Sequence, residues 1–210
     1  MPKAKVARKS TAIDMTAMCD VAFLLLTFFI LTTKFKPKEP VVIDIPTSHG
    51  KQIKDKDIVL ISMAPDGRTF WDIDNPKIRR STLEQMGERY SITFSTDEFN
   101  KFANAGAIGV PMKDLKAWLA MNPESRFAPG VLKGIPKDTT LVGNELGDWL
   151  ICSKKAYKAE LNKNAIIAVK GDKTTDYPSV KAVIKTFELK NILRFNFVTS
   201  LEGKEETAAK

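Results

Sequence analysis

Three patterns of apolar and polar positions follow one another along this 210-residue chain, and each predicts a different kind of element. From Met15 to Thr33 the apolar residues run round a whole helical wheel, Leu24, Leu25, Leu26, Phe28, Phe29, Ile30 and Leu31 among them, with Asp20 the only charge. A soluble core helix of that length would keep one polar stripe. At 1.5 Å per residue the segment makes a helix about 28 Å long, close to the ~30 Å hydrocarbon layer of a bilayer. A transmembrane helix within residues 12–33 is predicted.

Beyond it the period shortens to two. Val41 to Ile45 alternates and stops at Pro46, which has no N–H for a ladder, so an extended or edge segment is expected there. Two β-rich runs, Ile58 to Met63 and Thr69 to Ile73, flank Pro65-Asp66-Gly67 and predict a hairpin.

From Ser81 the period turns helical, with Leu83, Met86 and Tyr90 on one face. Pro111 can open a second helix, in which Leu115, Trp118 and Leu119 share a face. A Pro/Gly-rich loop follows, and Asn144 to Leu161 reads as a helix burying Leu146, Trp149, Leu150 and Tyr157.

The last run predicts a strand at Ala165 to Val169, a helix with Pro178 in its first turn and Val180, Ile184 and Phe187 facing inward, and a strand at Ile192 to Val198. Strand, helix and strand with a short return imply a right-handed parallel crossover. Set beside an antiparallel hairpin, that gives a mixed sheet and an α+β class: one N-terminal transmembrane helix, then a mixed β-sheet domain with helices packed on it. The expected organisation is a basic tail at 1–11, the helix at 12–33, a linker at 34–57 containing the extended segment, the α+β domain at 58–200 and a disordered tail at 201–210.

Charge sharpens the picture. Of the net +8, most lies in residues 1–38, where Lys3, Lys5, Arg8, Lys9, Lys34, Lys36 and Lys38 face only Asp14 and Asp20. Basic residues that flank an apolar run, rather than collect on the folded part, point to a membrane and away from nucleic acid. A cleaved signal peptide is the rival reading, but "TTKFKPKEP" lacks a small-residue cleavage site and turns basic at once, which favours an uncleaved anchor. The basic counts on the two sides are nearly tied; the long trailing domain favours a cytoplasmic N-terminus and an external C-terminal domain.

Candidate chemistry is sparse. One histidine, His49, leaves little for a zinc site or a catalytic dyad, and Cys19 and Cys152 form no CxxC pair and read as free thiols. No phosphate loop and no nucleophile-base pair is present; Asp172 and Asp176 are better explained by a turn and a helix N-cap. A binding and dimerising module, not an enzyme, is expected, with no metal and no cofactor.

Asp20 is the exception. A carboxylate away from the lipid interface costs about 2.5–3.5 kcal/mol on insertion scales, so it persists by facing protein or a water-filled cavity. Burial also raises a carboxyl's pKa toward values at which it can take up and release protons. Thr16, Leu24 and Thr27 lie within about 40° of it on the helical wheel, so Thr16 and Thr27 are candidate polar supports. Two plainer readings stand beside these: Asp20 as an interhelical hydrogen-bonding group, and Thr27 bonded to its own backbone.

The stretch "DMTAMCDVAFLLLTFFILTT" behind a basic tail resembles the ExbD/TolR proteins of Gram-negative bacteria. "AIIAVKGDKTTDYPSVKAVIKTFELKNILRFNFVT", Ala165 to Thr199, is similar to the family's last strand-helix-strand unit, and "VVIDIP", Val41 to Pro46, to its extended segment after the helix. The resemblance implies an inner-membrane, proton-driven motor subunit with Asp20 as proton carrier and a periplasmic domain. Its implied partners are an ExbB/TolQ-like membrane ring, a second copy of the chain and a TonB-like energy transducer. The partner-contacting segment would be Val41, Val42, Ile43, Asp44, Ile45 and Pro46.

Ala17 stands where the family usually has proline, and the middle of the domain carries an insert at about 81–164 absent from compact members. Two other readings remain open: a TolR-like role in envelope integrity, and a signal-anchored scaffold in which Asp20 is only structural.

Overall fold

The structure, a computed structural model, describes residues 15–33, 43, 47–48, 58–128, 130–137, 143–198 and 200–201. The expected basic tail, most of the linker, and all of the tail beyond Leu201 lie outside the described residues. The chain divides into two units, Met1–Lys36 and Pro37–Lys210.

In the first unit, helix α1 spans Met15–Thr32, as the apolar run predicts. In the second, the described elements are β1 (Thr47–Ser48), β2 (Ile58–Met63), β3 (Thr69–Ile73), α2 (Pro76–Tyr90), α3 (Thr96–Ala103), α4 (Leu115–Ala120), α5 (Glu145–Leu161), β4 (Ile166–Gly171), α6 (Tyr177–Leu189), β5 (Asn196–Val198) and β6 (Ser200–Leu201).

The main sheet has the order β3-β2-β4-β5, with β2–β3 antiparallel and β2–β4 and β4–β5 parallel. It is the mixed sheet expected from a hairpin joined to a strand-helix-strand unit. The hairpin occupies its predicted residues because Gly67, at φ +80°, takes the left-handed position that the turn requires. A two-stranded ladder pairs β1 with β6 in parallel, so Leu201 belongs to a strand and not to a disordered tail. Only two residues long on each side, it is too short for a period-two signal to register.

The helices depart from expectation at their ends. α2 starts at Pro76, five residues before Ser81, because Asn75 caps it: its side chain accepts from the Lys77 N–H at 3.0 Å and Pro76 occupies the first turn. α3 was not anticipated, although Ser95 and Glu98 form a reciprocal capping box. A 3-10 turn at Met112–Asp114 precedes α4. β4 runs two residues past Val169, whereas β5 begins only at Asn196, with Ile192 buried in the loop before it. In α6 Phe187 is buried as expected, while Val180 and Ile184 are half-buried and Val183 faces the core.

The long middle region packs into the same core as the sheet. Trp71 of β3, Phe102 of α3 and Trp149 of α5 stack with centroids 4.8–6.0 Å apart, a geometry that adds to the area these rings bury. The Trp71 indole donates to Ser153 Oγ at 3.0 Å, and Ser153 in turn donates to the Trp149 carbonyl. The middle region also closes the β3 edge of the sheet. Trp71 and Ile108 exchange backbone hydrogen bonds of 2.9 and 2.8 Å, and the Ile135 N–H donates to the Thr69 carbonyl at 2.8 Å. An open strand edge invites pairing with other chains, so this cover has a direct physical use.

Candidate functional site

Helix α1 satisfies its own backbone hydrogen bonds and presents its side chains outward; none of its residues is buried. Its mean hydropathy is 2.0 over 18 residues, which makes it long and apolar enough to cross a bilayer. Asp20 sits about 7.5 Å along the axis from Met15. It is exposed and has no hydrogen bond or ion pair among the described residues.

The helix brings Thr16, Asp20, Leu24 and Thr27 onto one face. Thr27 is the most covered residue of that face, and its hydroxyl donates to its own helix, to the Phe23 carbonyl at 3.0 Å and the Leu24 carbonyl at 2.9 Å. Its oxygen remains an acceptor for water or a neighbouring group. Thr32 and Thr33 bond back in the same way to Phe28 and Phe29. One carboxylate, on the face it shares with Thr16 and the backbone-bonded Thr27, is therefore the acidic side chain of an otherwise largely apolar helix.

Of the expected partner-contacting segment, Ile43 is half-buried in irregular backbone. Val41, Val42, Asp44, Ile45 and Pro46 lie outside the described residues.

The second unit holds its buried charges differently. Arg79, 2 % exposed, pairs with Asp72 and donates to the carbonyls of Phe102 at 3.2 Å, Ile73 at 3.1 Å and Gly106 at 2.7 Å. Its guanidinium carbon lies 5.4 and 5.2 Å from the ring centroids of Trp71 and Phe102. Burial raises the Asp72 carboxyl pKa, with Arg79 opposing the shift.

A second hub joins three helices. Asp148 of α5 accepts from Lys190 after α6 at 3.0 Å, from Arg89 of α2 at 2.9 Å and from the Tyr90 hydroxyl at 3.0 Å. Burial, and then the Asp148 charge, push the Tyr90 hydroxyl well above its ordinary value. Glu145, raised mainly by burial, accepts from the Met112 N–H at 2.8 Å.

Both hubs are saturated by the chain's own groups, which suits bracing rather than turnover. Sequence reasoning missed them because their partners meet only in the fold. The turn at Asp172 is as expected, with Asp172 accepting from the Thr174 N–H at 2.9 Å. Asp176 stands at the N-cap of α6 without a side-chain cap bond. Among the described residues no group of three or more His, Cys, Asp or Glu converges on a metal position.

A family model described as biopolymer transport protein ExbD/TolR matches residues 7–102, a range that takes in α1, Asp20, the Val41–Pro46 segment, the hairpin and α2. No curated protein and no solved structure matches the chain.

Proposed function

We propose that this chain, whose residues 7–102 match the ExbD/TolR family model, is the proton-carrying subunit of a motor driven by the proton gradient across the bacterial inner membrane. In this reading α1 crosses the membrane with its N-terminus in the cytoplasm, and the unit from Pro37 onward stands in the periplasm. Paired copies of α1 sit within an ExbB/TolQ-like ring, and Val41–Pro46 helps pass the motion to a TonB-like transducer that energises transport across the outer membrane.

The observation that carries the reading is Asp20: a carboxylate with no partner among the described residues, on a helix fit for lipid. Such a group needs a partner protein or water to be tolerated at that depth. Taking up and releasing a proton changes which surroundings it prefers, which couples proton passage to movement of the helix. One charge crossing contributes about 2.3 kcal/mol per 100 mV, enough to bias an element whose two states differ by a few kcal/mol.

The test compares wild type with Asp20→Asn at matched membrane levels in cells that depend on this protein for energised outer-membrane uptake. Asn keeps the size and hydrogen bonding but carries no titratable proton. Uptake falling to background with assembly intact is the expected result. Preserved uptake would make Asp20 structural, and an envelope that leaks in a strain lacking the protein would favour the TolR-like role.

A further inference from the structure

A cleft of about 680 Å³ opens between the C-terminal turn of α3 and the turn that follows α4. Asn100, Lys101, Asn104, Asn122, Glu124 and Arg126 supply its polar wall, and Met121 and Phe127 its apolar one. The family match ends at residue 102, so most of this wall comes from residues beyond it.

Arg126 is the unusual member. The residue is 5 % exposed, although its guanidinium is less deeply placed than that of Arg79, and unlike Arg79 it has no carboxylate partner among the described residues. Its Nε donates to the Met121 carbonyl at 3.2 Å and its Nη2 to the Leu119 carbonyl at 2.8 Å, while its carbon lies 5.2 Å from the Trp118 ring centroid. Those carbonyls belong to the end of α4, so Arg126 also closes that helix.

Capping leaves two things unaccounted for. Among the described residues no carboxylate, Glu124 of the same cleft included, lies within ion-pair distance of the charge, and burial pushes the guanidinium pKa down. Nη1 has no protein acceptor among the described residues and is not sealed from solvent. A buried charge without a partner is costly, and a guanidinium pairs best with a planar oxyanion such as a carboxylate.

The other walls narrow the ligand class. The volume far exceeds what a lone inorganic anion fills. Exposed carboxamides at Asn100, Asn104 and Asn122 both donate and accept, as peptide groups do. Asn104 already donates to the Asn100 carbonyl at 2.9 Å, which leaves its own oxygen as an acceptor. Met121, 41 % exposed, offers an apolar seat.

We infer that this cleft binds a short peptide by its free carboxylate, with Arg126 Nη1 and the Lys101 ammonium taking the carboxylate, the carboxamides and Glu124 the main-chain groups, and Met121 and Phe127 an apolar side chain.

The test uses the full chain in lipid nanodiscs with 13C-methyl methionine, the Met121 signal being assigned from Met121→Leu. The probe is a pool of N-acetylated tripeptides lacking Asp and Glu, offered with free C-terminal carboxylates or as the matching amides. The expected result is a saturable Met121 shift with the acid pool and binding weaker by roughly tenfold or more with the amides, the loss of about one charge-assisted hydrogen bond. Lys101→Gln, at an exposed position, should leave the spectrum of the free protein unchanged and weaken the acid pool similarly. Equal shifts from both pools, or none from the acid pool, would overturn the inference, and so would full acid affinity in Lys101→Gln.

Discussion

Asp20 and Asp148 are the same side chain in opposite circumstances. Asp20 stands exposed on an apolar helix with no partner among the described residues, whereas Asp148 is buried and accepts from a lysine, an arginine and a tyrosine drawn from two other parts of the chain. A carboxylate saturated by its own fold is a brace, because any change of state breaks contacts already made. A carboxylate on an apolar helix with no partner among the described residues needs protein or water around it to be tolerated, and in the proposed function its state follows that partner. The difference places stability in the Pro37–Lys210 unit and the candidate chemistry in the short helix.

The comparison breaks most directly at Asp148. Asp148→Ala leaves Lys190, whose side chain is 9 % exposed, buried without its counter-ion. Stability should fall by about 3–5 kcal/mol, the cost of breaking a buried pair from one side. All three tryptophans, Trp71, Trp118 and Trp149, lie in this unit, so their fluorescence during urea unfolding reports it alone. Asp20→Asn should leave that curve unmoved. A matching loss from Asp20→Asn, or none from Asp148→Ala, would erase the distinction.

Packing supplies the next, smaller effect. A Cβ on Gly109 would stand 2.2 Å from Cδ1 of the buried Phe70 ring, in the segment that covers the β3 edge. Gly109→Ala should cost about 1–3 kcal/mol by overpacking. It should also speed exchange of the Trp71 and Ile108 amides, which hold that cover in place. Unchanged exchange there would mean that the cover tolerates a shift of the ring.

What was legible follows from how far apart the deciding residues lie. Asp20 shows in the sequence because its oddity is local: a charge inside an apolar run is visible with no partner in view. The hairpin is legible for the same reason, its period and its turn falling within 16 residues. Asn75-Pro76 and the Ser95–Glu98 capping box are equally local signals, for the start of α2 and for α3. Arg79, by contrast, looks like one more polar position on a helix until Phe102 and Gly106 close over it. Asp148 and Lys190 meet across 42 residues, and the Ile108 and Ile135 bonds along β3 depend on loops that carry no periodic pattern. The middle region reads as an insert in sequence, yet in the fold it shares the core and seals a sheet edge.

The smallest effect tests the brace by titration. Tyr90 has its hydroxyl pKa raised by burial and by Asp148, so the folded chain keeps that proton at pH values where the unfolded chain has lost it. Above the unfolded pKa of about 10 the native state then binds more protons, and stability must fall as pH rises; below it the contribution is fully present. Tyr90→Phe removes the ionisable group together with one hydrogen bond to Asp148. It should cost about 1 kcal/mol at neutral pH and flatten the decline between pH ~10 and ~11.5 in urea midpoints followed by tryptophan fluorescence. An equally steep decline in Tyr90→Phe would assign the alkaline sensitivity to groups outside the Asp148 hub, and the hub would then hold its carboxylate through Lys190 and Arg89 alone.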